Sequence, residues 1–271
     1  NLTTNGGAIT LTADADGSSA GDLSIAGGQT VTSGGSTINI TANDVDFSGA
    51  TNSGAGTTTI LISDGGTILL GGGGSGDMTI AAAELQNITA TSAVIGDATN
   101  GNITIKNILA ANSDNIGTLT LNATKAGSTV DFSGSGGVFN ALVINANTLV
   151  SAKALTTDTG GLTINGANGV TFTDNVVTAG AVVIDADSDN NGSGTFTIDA
   201  TFGLTTGGNT LSVTADDIAL NGTVNTGAAA TTILISDGGT IGLGASAQNL
   251  TISGAELQNI TATGLTIGDA T

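Results

Sequence analysis

Carboxylates are the residues best placed for chemistry in this 271-residue sequence, because little else is available. Three Lys stand against 22 Asp and Glu, the formal net charge is −19, and there is no His, Cys, Arg, Tyr or Trp. Those absences exclude imidazole acid–base catalysis, a Ser-His-Asp triad, a thiol nucleophile and a zinc site of the usual ligand type. Lys106, Lys125 and Lys153 cannot neutralise a run of phosphates, so neither nucleic acid nor an anionic membrane is expected as a partner. Without Cys there is no disulfide framework, which leaves the compartment open.

Two acidic stretches carry the strongest case for a ligand. Ile184 to Gly194 read IDADSDNNGSG, and Leu11 to Gly21 read LTADADGSSAG. If the strand runs on, Asp185, Asp187 and Asp189 share one face while Ile184 and Ala186 share the other. Three carboxylates beside a Gly/Asn turn are oxygen ligands of the kind Ca²⁺ takes, and Asp14 and Asp16 are their counterparts in the earlier stretch. TADADG is similar to the opening of an EF-hand loop, D-x-D-x-D-G, but Thr12 stands at the first Asp and Leu23 where the bidentate Glu belongs. The alternative is a solvated acidic strand end that keeps the protein soluble and discourages lateral strand pairing. No cofactor other than Ca²⁺ is suggested.

The remaining candidates read as structure. GGGGSGDMTI, Gly71 to Ile80, comes near the Gly-rich Ca²⁺-binding nonapeptide, but Gly76 and Asp77 lack the intervening residue. SDGGT, at Ser63 to Thr67 and Ser236 to Thr240, has the residues of a tight turn. Glu84 and Glu256 are the only Glu residues, and the sequence pairs neither with an obvious second acid or base. Nine N-x-[ST] sequons, among them Asn39, Asn87, Asn122 and Asn259, are close to chance for this composition. Such Asn residues are expected to stack at the corners of a coil.

These residues recur, and the recurrence reveals the elements that position them. Thr58 to Gly71, TTILISDGGTILLG, match Thr231 to Gly244 at all but one place, offset by 173. AELQNITAT at Ala83 to Thr91 returns unchanged at Ala255 to Thr263, offset by 172, and IGDAT closes both copies. The lost residue falls where GGGGSGD becomes GASAQN, which marks a surface loop. Residues 1–173 form one unit and 174–271 part of a second, within a single domain over 1–271. The opening NLTTNGG reads as a cut within a longer pattern, and the natural chain is expected to continue. One-off catalytic machinery would be expected to appear once, whereas recurrence fits either coil-building positions or a repeated low-affinity surface.

Within the unit, short runs alternate apolar and polar residues: AITLTA, STINITA, GNITIKN, TLTLNA, GTFTID. Period two with β-branched residues indicates strands, and Gly, Asn, Asp and Ser between them indicate turns. The 67 Leu, Ile, Val and Phe residues suffice for a core, and no apolar run is long enough for a membrane helix. A turn-sized period nested in a larger repeat, with almost no large aromatics, favours a solenoid over a sandwich. The expected fold is all-β, a right-handed parallel β-helix (β-solenoid) of about 13 turns of roughly 19–22 residues. At the usual strand spacing it would be about 60 Å long.

The block NTGAAATTILISDGGTIGLG, followed by LTISGAELQNITATGLTIGDAT and preceded by TADDIALNG, resembles repeats of large bacterial exoproteins of the filamentous haemagglutinin type. That resemblance implies a secreted β-helix at the bacterial cell surface or outside the cell, used as a stalk or adhesive fibre. It also implies export through an outer-membrane partner and contact with cell surfaces or carbohydrate. The expected function is structural, without catalysis, with β-helix neighbours of the same protein as partners in tandem or end to end. A filament built by end-to-end stacking is the alternative. A β-helical polysaccharide-active enzyme using paired carboxylates shares the fold. Ice or crystal-surface binding would need the T-x-T runs at Thr10, Thr118, Thr171 and Thr195 to align on successive turns.

Overall fold

The computed structural model describes residues 1–151 and 153–269. In it the alternating runs become strands whose β-branched and aliphatic residues turn inward and whose Thr, Asn and Ser turn outward. The strand pairings are parallel, each strand lying beside the equivalent strand of the next turn. The protein is therefore a parallel β-helix. Its first face stacks Leu11, Ile40, Ile60, Ile95, Leu121, Ile144, Ile164, Ile184, Val213, Ile233 and Ile267 on successive turns. Eleven levels at the usual spacing make a column about 50 Å long.

The turn count is lower than the sequence spacing suggests, because the turns are unequal. Ile40 to Ile60 takes 20 residues and Ile60 to Ile95 takes 35. Seven steps of the first-face register carry Leu11 to Ile184, so one 173-residue unit makes seven turns. The strand at Leu23–Ser24, beside Ile25, is not an extra turn: it pairs with Val45–Asp46 and begins a second face. Ile80 and Ile105 also belong to that second face.

The longest turn contains a reversal. Ile68–Gly71 runs along the second face, the Gly-rich loop doubles back, and Met78–Ile80 pairs in parallel with the strand just left, Ile68 opposite Met78 and Leu70 opposite Ile80. Gly71 starts the loop at φ 110°, where a Cβ would lie 1.9 Å from the Lys106 carbonyl oxygen, so only glycine fits. After the second strand the chain makes a short helix, α1 (Ala82–Gln86), before the next strand. The second copy repeats the device, with Ile241–Leu243 pairing Leu250–Ile252 ahead of a five-residue helix at Gly254–Gln258.

The interior is one continuous apolar column. Five of the six Phe lie inside, and Phe172 meets Phe196 edge to face at 5.4 Å. A third face stacks Leu2, Val31, Thr51 and Ile88 on successive turns, and a row of small polar residues enters the interior where it bends into the first. Ser33, Ser53, Thr157, Thr178, Thr206 and Thr226 are buried there, and each donates its hydroxyl to the carbonyl two or three residues on. These hydroxyls bond carbonyls inside the bend itself, the Ala229 carbonyl accepting from the Thr263 N–H as well. Outside, Asn145 donates to Asn122 and Asn165 to Asn145, both at 2.7 Å, along the first face rather than at a corner.

Candidate functional site

The acidic stretches are twin loops, and the structure splits the five candidate ligands between them by role. The strand Val182–Asp185 ends at Asp185, whose carboxylate accepts from the Asp187 N–H at 3.2 Å. This turn breaks the alternation, so Asp187 points inward and is fully buried while Asp189 stays exposed. The three carboxylates therefore do not share an outer face. Asp187 instead accepts from the Asn191 and Gly192 N–H groups, both at 3.1 Å, and from the Ser236 hydroxyl at 2.6 Å. Asp14 does the same in the first copy: it accepts from the Ser18 and Ser19 N–H groups and from the Ser63 hydroxyl at 2.6 Å. Asp16, like Asp189, lies exposed on the loop.

The chain is close-packed over both aspartates. A Cβ on Gly21 would lie 2.2 Å from the Ala13 carbonyl oxygen, and one on Gly194 would lie 1.9 Å from that of Ala186. The Gly21 and Gly194 carbonyls then accept from the N–H groups of Asn43 and Asp216. The Ser63 hydroxyl, reinforced by the Ser18 N–H, lowers the Asp14 carboxyl from the usual 3.8 to about 2, against burial that alone would raise it. Asp14 and Asp187 are thus the pins of two loops, each tied to a serine more than one turn away.

The two loops differ in charge. In the first copy, Ser19 donates to Asp64 at 2.6 Å and Asn43 occupies the neighbouring position. In the second, Gly192 replaces Ser19 and Asp216 replaces Asn43, and the Asp237 carboxylate lies 2.9 Å from where a Gly192 Cβ would be. Burial raises the Asp216 carboxyl, and the charges of Asp237, Asp187 and Asp217 raise it further. Asp185 is raised by burial as well, with Asp187 and Asp189 adding repulsion. Among the described residues, no group of three or more acidic side chains is placed to hold a metal ion. The Ca²⁺ expectation for Asp14, Asp16, Asp185, Asp187 and Asp189 thus has no converged ligand set behind it.

The duplicated Glu residues are clasps between turns. Glu84 accepts from the Phe47 N–H at 2.9 Å and from the Ala81 N–H at 2.6 Å, while Asn87 donates to the Phe47 carbonyl at 2.6 Å. Glu256 accepts from the Leu220 and Ser253 N–H groups, and Asn259 donates to the Leu220 carbonyl. Side chains within the helix (Glu84, Glu256) and just after it (Asn87, Asn259) thus replace the strand pairing that the helix interrupts. Asp44 and Asp217 help by accepting from the Thr79 and Thr251 N–H groups. Asp77 accepts from the N–H and hydroxyl of Thr67 across the Gly-rich loop, and Asn249 does so from Thr240 in the second copy. The SDGGT residue Asp64 accepts from the Gly66 N–H, as a turn residue does.

The T-x-T runs fall on different faces. Thr10 and Thr120 belong to the first face, Thr171 and Thr197 to the second, and Thr120 lies between Val94 and Val143. The uniform threonine array that a flat crystal-binding face requires is therefore not built. No helix among the described residues is long and apolar enough to cross a membrane. No protein-family model matches the sequence, and no curated protein or solved structure matches it.

Proposed function

We propose that this chain is a structural segment of a secreted bacterial surface fibre or adhesin stalk, and that its side-chain chemistry serves to hold a β-helix together. One observation carries the reading: the clasp of Glu84 and Asn87 on Phe47 reappears as that of Glu256 and Asn259 on Leu220. The Asp14–Ser63 pin likewise returns as Asp187–Ser236. Polar residues that duplicate with the coil and bond its own backbone act as scaffold. Continuous parallel pairing along the column supplies the resistance to local opening that a stalk needs.

The reading is tested by raising antibodies to the chain and probing intact and disrupted cells of the producing organism, with the native polypeptide sized on a denaturing gel. Labelling of intact cells, on a polypeptide much larger than 25.8 kDa, is the expected result. Reactivity confined to the soluble fraction of disrupted cells would overturn it.

A further inference from the structure

One side of the column carries almost no charge. The first face pairs in register from Ile9–Thr12 to Gly264–Asp269. Its central outward column, from Thr10 to Thr266, consists of Thr, Val, Asn and Ser alone. The column two residues further along each strand, from Thr12 to Gly268, holds a single ionisable residue, Asp185. The other acids lie outside these two columns. Asp46, Asp131 and Asp217 point out of the second face, and Asp16, Asp64 and Asp189 stand in the loops that lead into it.

The same face carries outward aliphatic side chains. Val94, Val143 and Val183 occupy every second level of the central column, and Val183 is 46 % exposed. Leu61 and Leu234 lie in the neighbouring column. A strand such as Ile38–Ala42 crosses the face in five residues, about 17 Å, and the stack runs about 50 Å. The product, roughly 850 Å², is what one partner contributes to a protein interface of standard size. This surface lies along the side of the column, so it does not depend on what adjoins either end.

We propose that a second copy of this chain docks on this surface, first face to first face, with the two columns antiparallel. The sheets then lie about 10 Å apart, as in other sheet-on-sheet packings. A two-fold axis passes beside Val143, so Val143 meets its own counterpart and Val94 of each copy meets Val183 of the other. The spacing permits this because Val94 and Val183 stand two levels to either side of Val143. Two copies that each carry −19 approach most closely where that charge is absent, and this arrangement turns both charged second faces outward. The antiparallel sense sets Asp185 against the level of Gly96 and four levels from the second Asp185, whereas parallel columns would bring the two to one level. Because both copies use the same patch, the contact closes as a pair. The remaining repulsion is screened by salt, so association strengthens with ionic strength. The inference goes beyond the scaffold reading by pairing such columns side by side, and its test is independent of where the protein resides in the cell.

The experiment is sedimentation equilibrium of the 271-residue chain over a range of protein and salt concentrations, joined to cysteine cross-linking. The expected result is a monomer–dimer equilibrium that shifts toward the dimer as salt rises. Val143→Lys places a charge at the centre of the contact and raises the dissociation constant by about tenfold or more. Thr205→Lys makes the same change of charge at an exposed position of the third face and leaves the dimer intact. The chain has no Cys, so single cysteines report on proximity without interference. Val94→Cys mixed with Val183→Cys forms disulfide-linked dimers in higher yield than either variant alone. A chain that stays monomeric, equal loss with Thr205→Lys, or a mixture that cross-links no better than its components would each overturn the proposal. A monomer that pellets with an insoluble polysaccharide, and ceases to with Val143→Lys, would overturn it too and give the face to carbohydrate. Surface labelling of cells could still succeed in any of these events, so the two readings fail separately.

Discussion

The Glu84 carboxylate accepts a 2.9 Å hydrogen bond from the backbone N–H of Phe47, which lies 37 residues earlier in the chain and on the neighbouring turn. Asn87 completes the contact by donating to the Phe47 carbonyl, so both backbone groups of that residue are held by side chains. The clasp exists because α1 takes the place of a strand and would otherwise leave the turn below it unpaired.

Removing the clasp should cost stability locally. Glu84→Ala leaves the Phe47 and Ala81 N–H groups without their partner, and the expected loss is about 1–3 kcal/mol in urea unfolding. Glu84→Gln keeps one acceptor oxygen and should fall between the parent and the alanine variant. Hydrogen exchange supplies the residue-level check: protection of the Phe47 amide should fall with Glu84→Ala, and that of Leu220 with Glu256→Ala. Unchanged protection at Phe47 would mean the contact does not hold the turn.

The duplication also exposes a flaw in the first copy. Thr51 is fully buried on the third face, and its hydroxyl is the one buried side-chain polar atom without a hydrogen-bond partner among the described residues. The second copy has Val224 in its place. Thr51→Val removes the unpaired hydroxyl at nearly constant shape and should stabilise the protein by about 1 kcal/mol. Val224→Thr should lose a similar amount. The urea midpoint decides both, and a Thr51→Val variant less stable than the parent would show that the hydroxyl has a role in the fold.

Much of this architecture is legible in the sequence. The alternation in STINITA puts Ile38 and Ile40 inside, and the indel between Gly71 and Met78 marks a loop. The turn lengths are not legible, since the reversal at Gly71 sets two strands of one turn side by side and makes Ile80 look like a new turn. Extending the alternation past Asp185 puts Asp187 outward, but the side-chain turn onto the Asp187 N–H ends the strand there and turns Asp187 in. The corner hydroxyls leave a pattern that can be read afterwards: Ser53, Thr157 and Thr226 each stand three residues before a small residue and shortly before an inward strand. The Glu84–Phe47 clasp leaves none, because its partner is a backbone group on another turn.

Acidity should act on the fold in two opposed phases. Asp14, Asp46 and Asp77 are lowered by their hydrogen bonds, from Ser63, Ser48 and Thr67 respectively. For them the folded form holds its charge more tightly than the unfolded chain. Their contribution is present above the unfolded value of 3.8 and is lost as pH falls toward the Asp14 value of about 2. Asp131, Asp185 and Asp216 are raised, chiefly by burial, so their ionisation opposes folding and their protonation, beginning above 3.8, relieves it. Stability should therefore rise as pH falls from neutral, pass a maximum on the mildly acidic side, and drop below 3.8. Asp216→Asn, which restores the residue the first copy has at Asn43, should raise the urea midpoint at neutral pH and flatten the first phase. A midpoint that falls steadily from neutral pH would contradict this account.

Calcium discriminates between the two uses the acidic loops were open to. Asp14 and Asp187 are already committed to backbone N–H groups and to Ser63 and Ser236, and the neighbouring carboxylates do not converge. A cation taken into either loop would have to displace bonds that hold the coil, whereas one acting only by screening would ease the repulsion around Asp216 and Asp237 without a fixed position. The expected outcome is that Ca²⁺ and Mg²⁺ raise the unfolding midpoint equally at equal concentration, and that Asp189→Asn leaves the response unchanged. Ca²⁺ prefers more oxygen ligands in a looser geometry than Mg²⁺ does, so a built site would separate the two. A Ca²⁺-specific stabilisation that Asp189→Asn abolishes would show that the loop rearranges around the ion, and would return Asp185, Asp187 and Asp189 to a ligand role.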